Sequence, residues 1–299
     1  MADQKISALT AATSVNDADL LALVQSATSK SVAASVFKSY ITSAVRPKLT
    51  AGLTYYVRTD GNDGNTGLVN NAGGAFLTIQ QAINAAVAWD LGVYSITIQV
   101  ADGTYTGAVT LKAFVASGGN INIQGNVATP ANCVISVASN QAITANNAFG
   151  IYYITGFKIQ TTTSGYGIIS QGLSYINIGV INFGACASGH VYALNLGYIG
   201  FTANYTISGS APYHLRCENG TIVCAALTIT LSGTPAFSTA FAAAALAGAM
   251  YAYGNTFSGS GTGTRYAATL NGVLFVNGAA STYFPGSIAG STATGGQYA

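Results

Sequence analysis

Two sets of apolar residues, each recurring at a near-constant step, constrain this 299-residue chain more than anything else in it. One set pairs Ile135/Val137, Phe157/Ile159, Ile181/Phe183, Tyr205/Ile207 and Leu227/Ile229, with steps of 22, 24, 24 and 22 residues. The other pairs Tyr152/Ile154, Ile176/Ile178, Ile199/Phe201 and Ile222/Cys224, stepping by 24, 23 and 23. Lys158, Asn182 and Thr206 stand between the apolar residues of the first set, the period-two signature of a strand with one buried face. A unit that returns at fixed spacing marks a solenoid. Steps of this length fit one coil of a three-sided parallel β-helix, each coil adding one strand to each of several parallel sheets. With neighbouring strands about 4.8 Å apart, five coils stack to roughly 25 Å.

The residues ahead of the repeat predict how it begins. Residues 55–58 read as a short aromatic and β-branched strand. Asp60-Gly61-Asn62-Asp63-Gly64-Asn65-Thr66-Gly67 is dense in turn formers. It lacks the residue order and the late Glu of a calcium loop, so a plain turn is expected. Thr78-Ile79-Gln80-Gln81 forms a capping box, in which the Thr78 hydroxyl takes a backbone N–H three residues on and Gln81 reaches back. Ile79, Ala82, Ile83, Ala86 and Val87 then line one face of a helix. Strands are expected at 94–100 and 109–111, with a turn at Asp102-Gly103. An exposed coil end carries unpaired backbone, so the helix is predicted to be a lid over the first coil.

Composition decides which partners such a solenoid can meet. Charged residues are 6% of the chain against about a quarter in ordinary globular proteins, while half the residues are hydrophobic. That balance excludes intrinsic disorder. The surface must be wetted by neutral hydroxyl and amide groups, and so uncharged a surface predicts burial against copies of the chain or against other proteins. Net charge is +2, and six of the ten basic residues lie in the first 58 positions. No basic stripe with interleaved aromatics results, which argues against nucleic acid as a partner. The N-terminus lacks the basic region and apolar core of a signal peptide. Residues 236–254 approach the length of a membrane span, but in a chain this poor in charge they read as a buried strand or subunit-contact surface. Cys133, Cys186, Cys217 and Cys224 have no metal-ligand spacing and read as small buried hydrophobes, and no cofactor is implied.

Four segments follow, at 1–50, 51–92, 93–233 and 234–299. In the first, the apolar run Leu20-Leu21-Ala22-Leu23-Val24 precedes a short helix through Val36, Phe37, Tyr40 and Ile41, capped by Ser29 or Ser31. In the last, the register lapses after about Leu231, and residues 265–278 alternate as a hairpin turning at Asn271-Gly272.

MADQKISALTAATSVNDADLLALVQSATSKSVAASVFKSYI resembles the module that opens bacteriophage tail-fibre and tailspike proteins and anchors them to the virion. The resemblance covers about 40 residues and implies attachment through Lys5, Ile6, Leu9, Leu20, Leu21, Leu23, Val24, Phe37 and Tyr40. Thr54-Tyr55-Tyr56-Val57, Gly61-Asn62-Asp63, the residues Phe76 through Ile83 and Asp102-Gly103-Thr104-Tyr105 resemble the front end of pectate-lyase and pectin-esterase β-helices, which phage tailspikes share. Together these imply a mainly-β, right-handed parallel β-helix with an N-terminal capping helix at Thr78, Ile79, Gln81 and Ile83. They also imply a small anchoring module, and the segments TPAFSTAF, GNTFSGSGTGTRY and the tail from Phe284 onward resemble the C-terminal portion of phage tail proteins, which implies a trimerisation or tip region in a homotrimer. The function implied is that of a virion fibre or spike, assembled in the bacterial cytoplasm. It would be held by its N-terminus to tail, baseplate, collar or capsid and contact a host glycan or protein distally. The alternative is a tailspike depolymerase, hydrolase or lyase.

The alternative needs closely placed carboxylates, or a carboxylate with a basic partner. From Gly103 onward the chain has one side-chain carboxylate, Glu218, so no pair can be drawn within the body of one chain. A site between subunits would bring Asp102 or Asp90 of one chain to Glu218 of another. Arg216 beside Glu218 reads as a lyase partner or as a surface ion pair. His190 and His214 read as isolated imidazoles, hydrogen-bonded or at a subunit contact. The eighteen tyrosines suit sugar stacking, protein docking or packing between subunits. The shortage of carboxylates favours the non-enzymatic reading.

Overall fold

The computed structural model describes residue 16, residues 18–25 and residues 28–299. Contacts divide the chain into two compact units, 1–47 and 48–299. In the first unit, strand Leu20–Gln25 pairs antiparallel with Thr28–Ala33, Leu20 opposite Ala33 and Gln25 opposite Thr28. Helix α1, Ala34–Ala44, follows at once. Its N-cap is Ala33, with no side-chain cap: Ser29 and Ser31, expected to cap it, are spent in the strand. Leu20, Leu21, Leu23 and Val24 lie on the hairpin's first strand and Phe37 and Tyr40 on α1, with Leu20 and Phe37 exposed. Lys5, Ile6 and Leu9 lie outside the described residues.

The second unit is a parallel β-solenoid of about eight turns. Its three sheets hold ten, seven and nine strands, every ladder parallel. A middle coil shows the path: Tyr198–Phe201 in the first sheet, Tyr205–Ile207 in the second, Ala211–Glu218 in the third, then Thr221–Val223 back in the first. One column of the core runs Ile98, Ile123, Ile154, Ile178, each 0–1% exposed and each stacked on the residue one coil away.

The first-sheet register is as the spacing predicts, Tyr152 on Ile176 on Ile199 on Ile222. In the second sheet the two ends differ. Ile135 pairs with Ile159 rather than Phe157, and Tyr205 pairs with Ile229 rather than Leu227. A slip of two residues leaves the same face inward, so alternation cannot detect it.

The expected loss of register after Leu231 does not occur. Ile222 stacks on Met250, Met250 on Leu274 and Leu274 on Tyr298, steps of 28 (250 − 222), 24 (274 − 250) and 24 (298 − 274). The long coil is the one that accommodates the ten-residue strand Ala236–Ala245, whose register shifts against Ala211–Glu218. The Ala-rich run is therefore a third-sheet strand, with Phe237, Ala240, Phe241, Ala242 and Ala244 buried. Among the described residues no helix is long and apolar enough to cross a membrane. Nor is there a hairpin at Asn271-Gly272: Tyr266–Ala268 and Val273–Phe275 belong to different sheets, each paired in parallel with the coil before.

The same corner explains the mistaken hairpin. Between third and first sheets the chain makes a tight turn with two successive left-handed residues: Asn195 and Leu196, Leu246 and Ala247, Leu270 and Asn271. Hydrogen bonds from Gly197 N to Leu194 O, Gly248 N to Ala245 O and Gly272 N to Thr269 O close these turns. Two-residue hairpins use this left-handed geometry, so their Asn-Gly signature also fits a coil corner. The glycine is needed for close approach: a Cβ on Gly197 would stand 2.0 Å from Ser170 O of the neighbouring coil.

Helix α2, Ile79–Ala86, buries Ile79, Ala82, Ile83 and Ala86 and packs on the strands Leu53–Val57, Ile96–Val100 and Val109–Leu111. The Thr78 hydroxyl accepts from Gln81 N at 3.1 Å, as expected. Gln81 does not reach back; its Oε1 accepts from Asn84 Nδ2. Asp63 takes that part, accepting from the backbone N of Leu77 and Thr78 at 2.9 and 2.8 Å and from the Thr78 hydroxyl at 2.7 Å. Gln80 closes the sheet edge. Its amide donates to Thr110 O and accepts from Thr110 N, standing in for the peptide of a missing strand.

Candidate functional site

The outer face of the third sheet brings Arg216 and Glu218 together with three tyrosines from successive coils. Alternation puts Arg216 and Glu218 on the same side of strand Ala211–Glu218, two residues apart. Arg216 Nε and Nη2 both donate to Glu218 Oε1, at 3.0 and 2.6 Å. Arg216 Nη1 donates to the Tyr166 hydroxyl at 2.7 Å, and the Tyr192 hydroxyl donates to Glu218 Oε2. The guanidinium carbon lies 4.6 Å from the Tyr192 ring centre and 4.9 Å from that of Tyr213, in cation–π range of both. Tyr166 crosses toward it because Gly189 lies beneath the ring: a Cβ there would come within 2.5 Å of it.

Electrostatics closes this cluster rather than priming it. Partial burial alone would raise the Glu218 carboxyl, but the Tyr192 hydroxyl and the Arg216 guanidinium outweigh it and hold the pKa below its ordinary value. Burial disfavours the Arg216 cation, and the bonds to Glu218 and Tyr166 reverse that and raise it. A general acid needs the opposite shift. Asp102 lies elsewhere: its carboxylate accepts from Asn126 Nδ2 at 3.0 and 3.1 Å. Four coils separate the two carboxylates along the first sheet, from Ile96–Val100 to Tyr198–Phe201, roughly 19 Å of rise. Asp90 is occupied by the backbone N of Gly92 at 3.0 Å. Within one chain the structure does not bring Asp102, Asp90 and Glu218 together. Asp60 forms an ion pair with Arg58 at 2.8 Å in the turn-rich loop.

His190 and His214 are not isolated. They stack one coil apart in the core, with Nδ1 atoms 3.1 Å apart. His190 Nε2 meets Gly184 O at 2.9 Å, His214 Nε2 meets the Tyr205 hydroxyl at 2.8 Å, and that hydroxyl lies 3.6 Å from Cys224 Sγ. One assignment satisfies the whole line: Cys224 donates to Tyr205, Tyr205 to His214, His214 to His190 and His190 to the Gly184 carbonyl. It requires both imidazoles neutral, and burial pushes His190 down to about 4 and His214 well below its ordinary value. Burial likewise raises Tyr205, and takes Cys224 up to about 12. Phe183, Phe237 and Phe241 surround the pair. The signal for this contact is the 24-residue separation of the two histidines, one coil step. The same step links Tyr192 to Arg216.

Two further outer surfaces are uncharged. On the first sheet, Tyr175 and Tyr198 stack at 3.9 Å between ring centres, with Tyr251, Tyr253 and Phe275 farther along the same face. On the second, a groove runs beside residues 127–131, lined by Asn182, Asn204, Thr206, Thr228 and Thr230. Among the described residues no three His, Cys, Asp or Glu side chains gather as a metal-binding group. Comparison of the chain with protein-family models, with curated proteins and with solved structures finds no match.

Proposed function

We propose that this chain is a structural subunit of a bacteriophage virion, a homotrimeric fibre or spike. Residues 1–47 anchor it to the tail, baseplate, collar or capsid, and the solenoid is a rigid shaft whose distal part contacts the host surface. What favours a non-catalytic shaft is the state of Glu218. The sole side-chain carboxylate from Gly103 onward is held ionised by Arg216 and Tyr192, which argues against a general acid, and with Asp102 and Asp90 bound elsewhere it has no carboxylate partner within its own chain. The virion assignment rests on the resemblance of the N-terminal segment to phage attachment modules. Its test is a deletion of residues 1–45: the truncated protein is expected to fold and to be missing from purified particles, and normal incorporation would refute anchoring. Incubation of the purified protein with host surface polysaccharide is expected to release no new reducing ends. Release that disappears in Glu218→Gln would replace this reading with a depolymerase.

A further inference from the structure

Three asparagines in the chain precede a glycine: Asn219-Gly220, Asn271-Gly272 and Asn277-Gly278. Such a pair is prone to react with itself, because the glycine N, with no Cβ beside it, can attack the asparagine Cγ and close a five-membered imide. The closed ring holds the asparagine as the first central residue of a type II′ turn, with positive φ. A type I′ turn reaches that shape when the peptide after the asparagine turns over. All three asparagines already have positive φ, at 45°, 59° and 55°. What separates them is whether the peptide between asparagine and glycine can turn. At the first two pairs it is held. Asn219 O accepts from Leu196 N, and Gly220 O accepts from Ala249 N at 3.0 Å. Gly272 N donates to Thr269 O at 2.8 Å, and Gly272 O accepts from Gln297 N at 2.9 Å. Both glycines are buried, and a Cβ on them would stand 2.8 Å from Ala193 C and 2.4 Å from Ala244 C. At the third pair, among the described residues, neither Asn277 O nor Gly278 N has a hydrogen-bond partner. Both residues are exposed, and a Cβ on Gly278 would meet nothing within 4 Å. One long bond closes this turn, Ala279 N to Val276 O at 3.3 Å, with Asn277 and Gly278 both left-handed between. Place in the stack accounts for the difference. Ala226 stands four residues past Ile222, as Gly278 stands four past Leu274 on the same column, and Ala226 N donates to Tyr253 O of the next coil at 2.9 Å. Gly278 N meets no such carbonyl.

We infer that Asn277-Gly278 is a self-modifying site whose co-reactant is water. Gly278 N bonds to Asn277 Cγ, the Cγ–Nδ2 bond breaks, and ammonia leaves with the proton that Gly278 N gives up. Water then adds to one of the two ring carbonyls, the bond from that carbon to nitrogen opens, and a carboxyl group is left on it. No oxidation or reduction occurs. Opening at Cγ restores an ordinary peptide with an aspartyl side chain. Opening at the backbone carbonyl routes the main chain through Cβ and Cγ, an isoaspartyl linkage. Either product places a carboxylate where, past Glu218, Arg265 is the sole charged side chain, and so cancels the net side-chain charge of the last part of the solenoid. The isoaspartyl form also lengthens the backbone beside Val276, whose N donates to Ala299 O at 2.6 Å, so it strains the pairing of the final coil.

The test needs no variant. The purified full chain, folded and in concentrated urea, is incubated in mildly alkaline buffer made with heavy-oxygen water. Proteolysis and mass spectrometry then follow the three asparagine-glycine peptides over time. In the folded chain Asn277 is expected to convert about 10-fold or more faster than Asn219 or Asn271, because each of those must also release hydrogen bonds to turn its peptide. In urea, where the turns are gone, the three rates are expected to converge. The product is expected to carry the heavy-oxygen label and to include an isoaspartyl fraction that an isoaspartyl methyltransferase labels. Conversion of Asn219 or Asn271 at the rate of Asn277 in the folded chain would overturn the inference. So would an Asn277 that stays intact in the folded chain while the urea sample converts. An aspartyl product with no isoaspartyl fraction would exclude the ring, and with it the attack by Gly278 N.

Discussion

At the scale of single residues, the line from Gly184 through His190, His214 and Tyr205 to Cys224 uses every hydrogen-bonding atom it buries, provided no proton is added. Two charged imidazoles would set N–H groups against each other between the Nδ1 atoms, and burial disfavours even one. Burial therefore depresses both folded-state pKa values, to about 4 for His190 and well down for His214. The unfolded chain takes up those protons near pH 6.5. Below that pH the unfolded state binds more protons than the folded one, so stability is lost as pH falls. With two such groups the slope approaches about 2.7 kcal/mol per pH unit, twice the value for one proton. Glu218 and Asp60, both depressed, add their own acid loss only below about pH 5, which leaves pH 5–6.5 to the imidazoles. Urea midpoints measured across that window are expected to fall steeply for the unaltered chain and about half as steeply for His214→Phe, whose ring suits the pocket of Phe183, Phe237 and Phe241. An equal slope in the variant would exclude His214 as one of the two groups. In the sequence the two read as isolated imidazoles: their separation is one coil step, but alternation with Tyr192 and Arg216, both on the outer face, places them outside, whereas both are fully buried.

At the scale of elements, helix α2 separates what local sequence encodes from what only the fold supplies. A capping box needs residues at fixed offsets, and the Thr78 half of it forms. The other half belongs to Asp63, fifteen residues earlier and brought close by the turn-rich loop, so no offset rule could find it. Equilibrium unfolding in urea is expected to show a loss of about 1 kcal/mol for Thr78→Ala. Asp63→Ala removes three acceptor contacts and is expected to cost about 2 kcal/mol or more. Gln81→Ala is expected to stay within about 0.5 kcal/mol, and a cost matching that of Asp63→Ala would restore the capping box. The coils show the same division. Alternation and step located the strands from Cys133–Ser139 to Thr228–Leu231, because each buries one face and recurs. The 28-residue coil through Ala236–Ala245 escaped, because a strand of alanines has weak contrast between its faces and its insertion broke the step.

At the scale of the whole molecule, a solenoid stacks like units and its stability is close to a sum over neighbours. Residues 48–299 hold their own core and their own lid, so they are expected to fold without residues 1–47, with the circular dichroism and melting behaviour of the full chain. A chain with eight acidic and ten basic residues has little electrostatic means of holding copies together or apart. Surface ion pairing weakens as salt shortens the screening length. Apolar contact does not depend on it in that way, and it weakens on cooling as the hydrophobic driving force fades. Self-association of the proposed subunit is therefore expected to keep its strength, or gain, between about 0.05 and 1 M NaCl, and to loosen from 25 °C toward 5 °C, read by sedimentation equilibrium. Dissociation by salt would instead assign the contact to the few charged side chains.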